Sequence, residues 1–562
     1  MSTLTEIMPG THAALAGLSS AVHQRLERLA SERFVPRLWD NDTTLFTVDP
    51  TDRASVANRL GWLSAPESVS AQREGILAIV EWAKATGLKR AVLLGMGGSS
   101  LCAEVLRATF ARGAGIELVV LDSTVPAMVS EASRDAASTV YIVASKSGST
   151  LEVDAFHRYF RALAPASRFL AVTDPGTALD ARARADGFAA VLNNPADIGG
   201  RFSALSNFGL LPAAVLGVDL DDYVSRAVCM KDRCRASDSE SGNPGLFLGV
   251  FLGEAARAGR DKLTLLLDSP FGALGVWIEQ LVAESTGKLG LGVVPIDGER
   301  FLVPFEDDRF FVHVGAEPSA QARSLAAEGH PVVSLAVPSA LELGAEFFRW
   351  CFATAVAGAV LEVNPFDEPN VGEAKARTAE RLAVFEATGR LPLEVARAAD
   401  DGIIAYADAG LEGEFEHPID VIEQHLARAR PGDYVSLLAY VPSDGALPGW
   451  LDETRALLAR TTGRPTTLGY GPRYLHSTGQ LHKGGGDGGL FVMLTADDQI
   501  DLRIPGQTYT FGTLAAAQAT GDYAALCAHG RRVLRLHFTS GLPGGFQTLF
   551  RFLGSCSESL GR

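Results

Sequence analysis

The sequence predicts a multi-domain α/β protein in which parallel sheets carry helices on both faces. Three observations support that prediction. The chain has 562 residues, too many for one ordinary core when domains run to about 150 residues each. Hydrophobic residues make up 47% of it and charged residues 21%, enough apolar surface to offset the entropy lost on ordering. Finally, short β-branched runs alternate with amphipathic segments, as a doubly wound parallel sheet requires.

Residues 1–75 read as a helical, polar N-terminal segment, with HQRLERLASERF at helical spacing. From residue 76 the runs AVLLGM, ELVVLD, TVYIVAS and RFLAVTD are each followed by a candidate helix, which gives a first α/β domain over 76–225. KLTLLLD, RFFVHVG, PVVSLAV, DYVSLLAY, LFVMLTA and RVLRLHF supply the strands of a second α/β domain over 226–562, C-terminal extension included. No repeat of solenoid length and no low-complexity linker separates them.

Acidic residues outnumber basic ones by 66 to 50, for a formal charge of −16. No Lys/Arg block offsets that charge, so nucleic acid is not an expected partner. The opening residues lack a basic stretch followed by an apolar one, and the apolar run near FATAVAGAVLEV is interrupted by Arg349 and Glu362. Neither a signal peptide nor a membrane span is expected. Six cysteines without C-x-x-C spacing suit reduced thiols, so the expectation is a cytoplasmic protein with no zinc site.

Two strand-to-helix turns carry the chemistry. In AVLLGMGGSSLCAEVLRATF, glycines 95, 97 and 98 let the backbone approach a ligand, and Ser99 and Ser100 offer donors at a helix start. Alone this could be only a tight turn, or part of a dinucleotide site with Asp122 as the ribose acid. Ser100 stands where the third glycine of that fingerprint belongs, however. In TVYIVASKSGSTLEV, Ser145, Lys146, Ser147, Ser149 and Thr150 cluster hydroxyls and an ammonium at a helix start, a compact site for a terminal phosphate. The bland alternative is a Ser/Thr N-cap with solvated neighbours.

Further along stand GGRFSALSNFGLLP, QLVAESTGK, NPFDEPNVGEAK and RYLHSTGQLHKGG. Together with GMGGSS and SKSGST these segments resemble glucose-6-phosphate isomerase across residues 91–484. LGYGPRYLHSTGQLHKGG, FVMLTADD and IPGQTYTFGTLAAAQATGD are most similar to the isomerase half of bifunctional transaldolase/phosphoglucose isomerases. The resemblance implies two domains of the sugar-isomerase (SIS) type and reversible interconversion of glucose 6-phosphate and fructose 6-phosphate, a step of glycolysis and gluconeogenesis. It implies no cofactor and no metal. Two departures stand out: His476 follows Lys375, whereas the family's histidine segment comes first, and Glu368 replaces the family's glutamine.

An aldose–ketose shift needs a base between two carbons, stabilisation of an enediolate and a way to open the ring. The resemblance gives Glu284 the base's role, beyond a long apolar segment where desolvation makes a carboxylate more basic. A helix-end pair with Lys288 is the structural alternative. Arg201 suits the developing enediolate, against the alternative of a surface arginine. Lys375 and His476 match the family's ring-opening pair, against a solvated helix lysine and a satisfied histidine, and His482 is a second candidate for the histidine role. Gly98, Ser99, Ser145, Lys146, Ser147, Thr150 and Gln280 complete the expected substrate contacts. Lys146, Arg201, Lys375 and His476 or Lys483 are the cations a sugar phosphate requires of so acidic a chain. A sugar-phosphate-binding regulator without catalysis, an isomerase that also takes mannose 6-phosphate, and a nucleotide-dependent oxidoreductase are the competing readings. Related isomerases are commonly homodimers with the histidine donated by the neighbour, so the resemblance implies a homodimer as one option, while the altered order here offers the alternative of a histidine supplied within one chain.

Overall fold

The computed structural model describes residues 3–110, 115–235, 242–301 and 304–560. Its strands are β1 (Thr5–Met8), β2 (Thr11–Ala14), β3 (Arg90–Leu94), β4 (Glu117–Leu121), β5 (Thr139–Ala144), β6 (Phe169–Thr173), β7 (Ala190–Asn193), β8 (Lys262–Leu267), β9 (Val294–Ile296), β10 (Arg309–Gly315), β11 (Val332–Ala336), β12 (Ala398–Asp400), β13 (Ile403–Ala407), β14 (Tyr434–Tyr440), β15 (Thr466–Tyr470), β16 (Gly489–Ala496) and β17 (Arg532–Phe538). The helices that bear on the site are α1 (Leu101–Phe110), α2 (Leu151–Arg161), α3 (Pro244–Arg257), α4 (Leu274–Thr286), α5 (Leu343–Val360), α6 (Val371–Thr388) and α7 (Phe511–Ala528). Every apolar run read from the sequence is a strand. The protein is a mixed α/β molecule of parallel sheets and helices.

The strands form three sheets, ordered β4-β3-β5-β6-β7, β1-β2-β11-β10-β8-β9 and β12-β13-β17-β16-β14-β15. The first is parallel throughout, and its central strands are buried runs of Val, Ile, Leu and Ala, as cover on both faces demands. In the second and third sheets, pairing is parallel among the later strands, and an antiparallel hairpin closes one edge. Those two sheets share one connectivity: a hairpin, then a strand, its outer neighbour, and two strands stepping back toward the hairpin.

Two expectations are corrected here. The segment 1–75 is not purely helical, because the Pro9–Gly10 turn, with Gly10 at φ 74°, folds β1 onto β2, which pairs with β11. The region 226–562 holds two sheets instead of one. The quoted runs mark only some of the strands, since β1, β2, β7, β9, β12, β13 and β15 match none of them, and the partner of each strand is set by packing distant in sequence. The chain divides into two compact units, one of residues 1–122, 135–295 and 307–367, the other of 123–134, 296–306 and 368–562. The first and second sheets belong to the first unit, whereas the third lies in the second.

One continuous apolar core runs through the first unit. At its centre α3 lies against α5 so closely that a Cβ on Gly249 would sit 2.4 Å from the Ala353 carbonyl oxygen and 2.5 Å from Val356 Cβ. Helix α5 is apolar on every side because nearly every side is covered. The stretch Ala340–Val360 is long and apolar enough to cross a membrane, yet 94% of its most apolar window is buried within the folded chain. The second unit's core lies between the third sheet and its helices.

His425, on the helix Pro418–Ala427, is completely buried in that second core. Burial, reinforced by Arg428, lowers its pKa from 6.5 to about 3. The unfolded chain therefore takes up a proton near pH 6.5 that the folded chain refuses until far lower pH. Stability present above that value drains away as pH falls, at up to about 1.4 kcal/mol per pH unit. We predict that His425→Leu flattens the loss of stability below pH 6.5 in a pH series of urea denaturation. An unchanged slope would show that this histidine is not its source.

Candidate functional site

Both predicted turns lie at carboxyl ends of the first sheet's strands. After β3 the chain makes a single 3-10 turn, Gly97–Ser99, and enters α1. Gly97 takes φ 53°, a left-handed value that glycine adopts without steric cost. Gly98 is needed for space: a Cβ there would lie 2.1 Å from the Gly200 carbonyl oxygen and 2.9 Å from the Arg201 nitrogen. The GMGGSS turn thus backs directly onto the GGRFS turn. Ser99 is buried, and Ser100 Oγ lies 3.2 Å from the Gly97 carbonyl oxygen and 3.3 Å from Asp122 Oδ2. The acid considered as a ribose ligand is held inside this turn.

After β5, residues 145–150 form a second turn into α2. Ser145 and Thr150 hydroxyls are 2.9 Å apart, and the Gly148 N–H donates to Ser145 Oγ at 3.1 Å. Ser147 Oγ accepts from the N–H of Ser149 at 3.3 Å. Thr150 occupies the N-cap, yet its side chain does not cap the helix. A helix start that its N-cap side chain does not close suits an anion. Lys146 departs from expectation. Its ammonium bonds Asp174, and also the Ala196 carbonyl oxygen at 3.0 Å, so an acid just beyond β6 shares its charge. Burial raises the Asp174 carboxyl above its ordinary range, with Lys146 pulling the other way.

Arg201 sits in the single turn Gly200–Phe202 and is 5% exposed. Its Nε donates to Ser285 Oγ at 2.8 Å, and its Nη2 donates to the carbonyl oxygens of Pro365 at 2.7 Å and Asp367 at 2.8 Å. Nη1 lies 3.4 Å from Glu284 Oε1. Gln280, one helical turn before Glu284 on α4, donates from Nε2 to Glu284 Oε2 at 3.2 Å. Each oxygen of this buried carboxylate thus faces a cation or an amide donor. The recorded ion pair of Lys288 is with Asp367, at 2.6 Å, and its ammonium also bonds the Asn364 carbonyl oxygen.

Sequence reasoning named Arg201, Gln280 and Glu284, and the first unit brings all three together. It did not name Ser285, Asn364, Pro365 or Asp367, which hold the arginine and Lys288. Three of these partners are backbone carbonyls, which no side-chain pattern announces. Ser285 adjoins the base in QLVAESTGK, and that adjacency was the available signal.

Lys375 and His476 belong to the second unit. Lys375 is exposed on α6, and His476 is half-buried at the end of the turn Arg473–His476. His482, the second candidate for the histidine role, is instead a core residue. It is 3% exposed, packs on Tyr474 and Phe491, and burial holds its pKa well below the ordinary histidine value. Lys483 is likewise consumed internally. Its ammonium pairs with Asp522 at 2.6 Å, with both side chains at most 2% exposed, and Tyr474 donates to the same carboxylate at 2.7 Å. Among the described residues, no group of three His, Cys, Asp or Glu side chains could hold a metal ion.

Fold and site define a class first: a mixed α/β protein of parallel sheets, with glycine- and hydroxyl-rich turns at the carboxyl edge and a buried Arg–Glu–Gln cluster. No family model matches the chain. Within the class, the chain is similar to curated glucose-6-phosphate isomerases. It is 34% identical over 208 residues to that of Thermosynechococcus vestitus, which covers 35% of this chain and 39% of the relative. It is 29% identical over 390 residues to that of Thermus thermophilus, which covers 59% of this chain and 92% of the relative. The chain spans 39% and 50% of the length of the first two curated relatives it matches. Among solved structures, a hypothetical protein, also from Thermus thermophilus, superposes with TM-score 0.56 at 26% identity, covering 68% of this chain and 99% of the other. A glucose-6-phosphate isomerase from Chlamydia trachomatis shares the fold at TM-score 0.56 and 17% identity, covering 68% and 90%.

The close approach of Gly98 to Gly200 yields a prediction. In Gly98→Ala the added carbon meets backbone, which cannot rotate away, so the two turns must part. We expect a loss of roughly 1–3 kcal/mol of stability, the usual cost of overpacking, readable as a lower urea midpoint. An unaltered midpoint would mean that the turns are not tightly apposed.

Proposed function

We propose that the chain is a glucose-6-phosphate isomerase, interconverting glucose 6-phosphate and fructose 6-phosphate by proton transfer through a cis-enediol. The observation that carries this reading is the buried Glu284 carboxylate, held between the Arg201 guanidinium and the Gln280 amide. The curated relatives of that name support it.

In this mechanism the turn at residues 145–150 takes the substrate phosphate. Its hydroxyls are already bonded to one another, and the uncapped start of α2 supplies N–H donors and a partial positive charge. Glu284 removes the proton from one carbon of the open-chain sugar and returns it to the neighbouring carbon. Gln280 fixes the orientation of that carboxylate. Arg201 offers a permanent positive charge to the enediolate oxygen that develops meanwhile, in a water-poor setting where such a charge counts for more. Motif likeness gives Lys375 and His476 the ring-opening roles, with histidine handling the proton at the ring oxygen. The reaction belongs to glycolysis and gluconeogenesis.

A coupled assay supplying fructose 6-phosphate and reading product with glucose-6-phosphate dehydrogenase tests the reading directly. Absence of turnover in folded protein would leave a sugar-phosphate binder.

Four variants sharpen the test. Replacing Ser147 and Thr150 together by Ala should weaken binding of the sugar phosphate and of inorganic phosphate alike. Unchanged phosphate affinity would move the anion site elsewhere. His482→Leu should keep turnover within about threefold, since a buried neutral ring exchanges for an apolar side chain with only local repacking, whereas His476→Asn should lose most of it. The reverse outcome would make His482 the acting histidine. Glu284→Gln removes the base while keeping size and hydrogen bonding, so turnover should fall by roughly 10² to 10⁴ while ground-state affinity survives. Near-normal turnover in that variant would refute the mechanism.

A further inference from the structure

Two sequence segments remain without a role in the isomerase reading: FVMLTADD and IPGQTYTFGTLAAAQATGD. Both line a cavity of about 260 Å³ in the second unit. It opens at the carboxyl ends of the third sheet, where Tyr440 ends β14 and Thr495 and Ala496 end β16. The sheet reverses its winding between these two strands: β14 passes to β15 on one side and β16 to β17 on the other. Such a switch point is where doubly wound sheets accept ligands. Glycine and alanine on the first two turns of α7, Gly512, Ala515 and Ala516, make one wall smooth.

The polar lining is specific. Arg535 is 4% exposed, its guanidinium lies 3.9 Å from the centre of the Tyr406 ring, and its Nε has no hydrogen-bond partner among the described residues. Its Nη2 is paired with Glu394 and its Nη1 lies 3.4 Å from Thr495 Oγ1. Asp498 brings a second carboxyl to the cavity. Glu394 is shared by Arg535 and Arg381, and burial, together with the nearby Asp501 and Asp497, pushes the Asp498 carboxyl up to about 7, so a phosphate or carboxylate would meet more carboxylates than cations here. Hydroxyl groups fit better, because each can donate to a carboxylate and accept from Arg535. The volume lies just under the range of about 300–1,000 Å³ usual for drug-sized ligands, which leaves room for one ring.

We propose that this cavity is a second ligand site, sharing no residue with the Glu284 cluster, and that it takes a single neutral polyhydroxylated ring of the free-hexose or cyclitol class. The ring lies on the alanine wall of α7, with its hydroxyls meeting Glu394, Asp498, Thr495 and Arg535.

The test uses the full chain and myo-inositol, a cyclitol with no carbonyl to isomerise, followed by saturation-transfer NMR and titration calorimetry. Millimolar binding is expected, and inorganic phosphate should not displace it. Ala516 is exposed at the cavity wall, so Ala516→Phe should block the cavity and weaken myo-inositol by at least about tenfold while fructose 6-phosphate turnover is unchanged. Asp498→Asn, also at an exposed position, should weaken binding as well and covers the case in which the bulkier variant fails to fold. The proposal is overturned if neither myo-inositol nor glucose binds, if phosphate competes, or if the folded variants bind as tightly as the unaltered chain.

Discussion

The base, its amide and the first turn of the first unit's candidate site depend on one buried charge. Arg201 is taken out of water in a single short turn, and a guanidinium so placed costs several kcal/mol unless its donors are met. They are met from two directions: Ser285 and Glu284 at the end of α4, and the carbonyls of Pro365 and Asp367 beyond α5. Those segments are far apart in sequence, so the arginine fixes their separation. Gly98 then brings the β3 turn against the same short segment, because only a residue without a side chain permits backbone to lie on backbone there. The base, its orienting amide and the first turn are thus referenced to one guanidinium.

The second turn is organised differently, by hydroxyls and backbone more than by charge. Lys146, the one cation in the hexad, is largely neutralised by Asp174. The attraction for an anion therefore rests on N–H groups at the start of α2, which Thr150 leaves uncapped. A donor array of this kind is directional and is built before the ligand arrives. It holds a phosphate without adding a strong point charge to a site where an enediolate must also be stabilised.

Ten strands were legible in the sequence because burial on both faces writes itself as apolar runs, whereas short or half-exposed strands such as β1, β7, β12 and β15 left no such run. Strand partners were not legible, because pairing is decided by tertiary packing between strands separated by whole helices and, for β2 with β11, by most of the first unit, and so two sheets read as one domain. The site shows the same division. Gln280 and Glu284 could be read because they stand one helical turn apart in a distinctive segment, whereas the carbonyls that hold Arg201 carry no side-chain signature. The placement of His482 and Lys483 was illegible for a related reason. Their charges suggested a ligand, but packing turned them inward, one ring between Tyr474 and Phe491 and one ammonium against Asp522.

The shared connectivity of the second and third sheets adds a last constraint. Each sheet has a carboxyl edge with a winding reversal, yet a reversal only creates a crevice, and side chains decide what enters it. In the third sheet the crevice carries Glu394, shared by two arginines, and Asp498 with Asp497 and Asp501 close by, a setting in which carboxylates outnumber cations. In the first sheet the turns at that edge present glycine backbone, hydroxyls and an uncapped helix start, which welcome a phosphate. A winding reversal thus serves opposite electrostatic ends in two differently connected sheets. The difference lies in a few residues at strand ends, where substitution leaves the buried strands untouched.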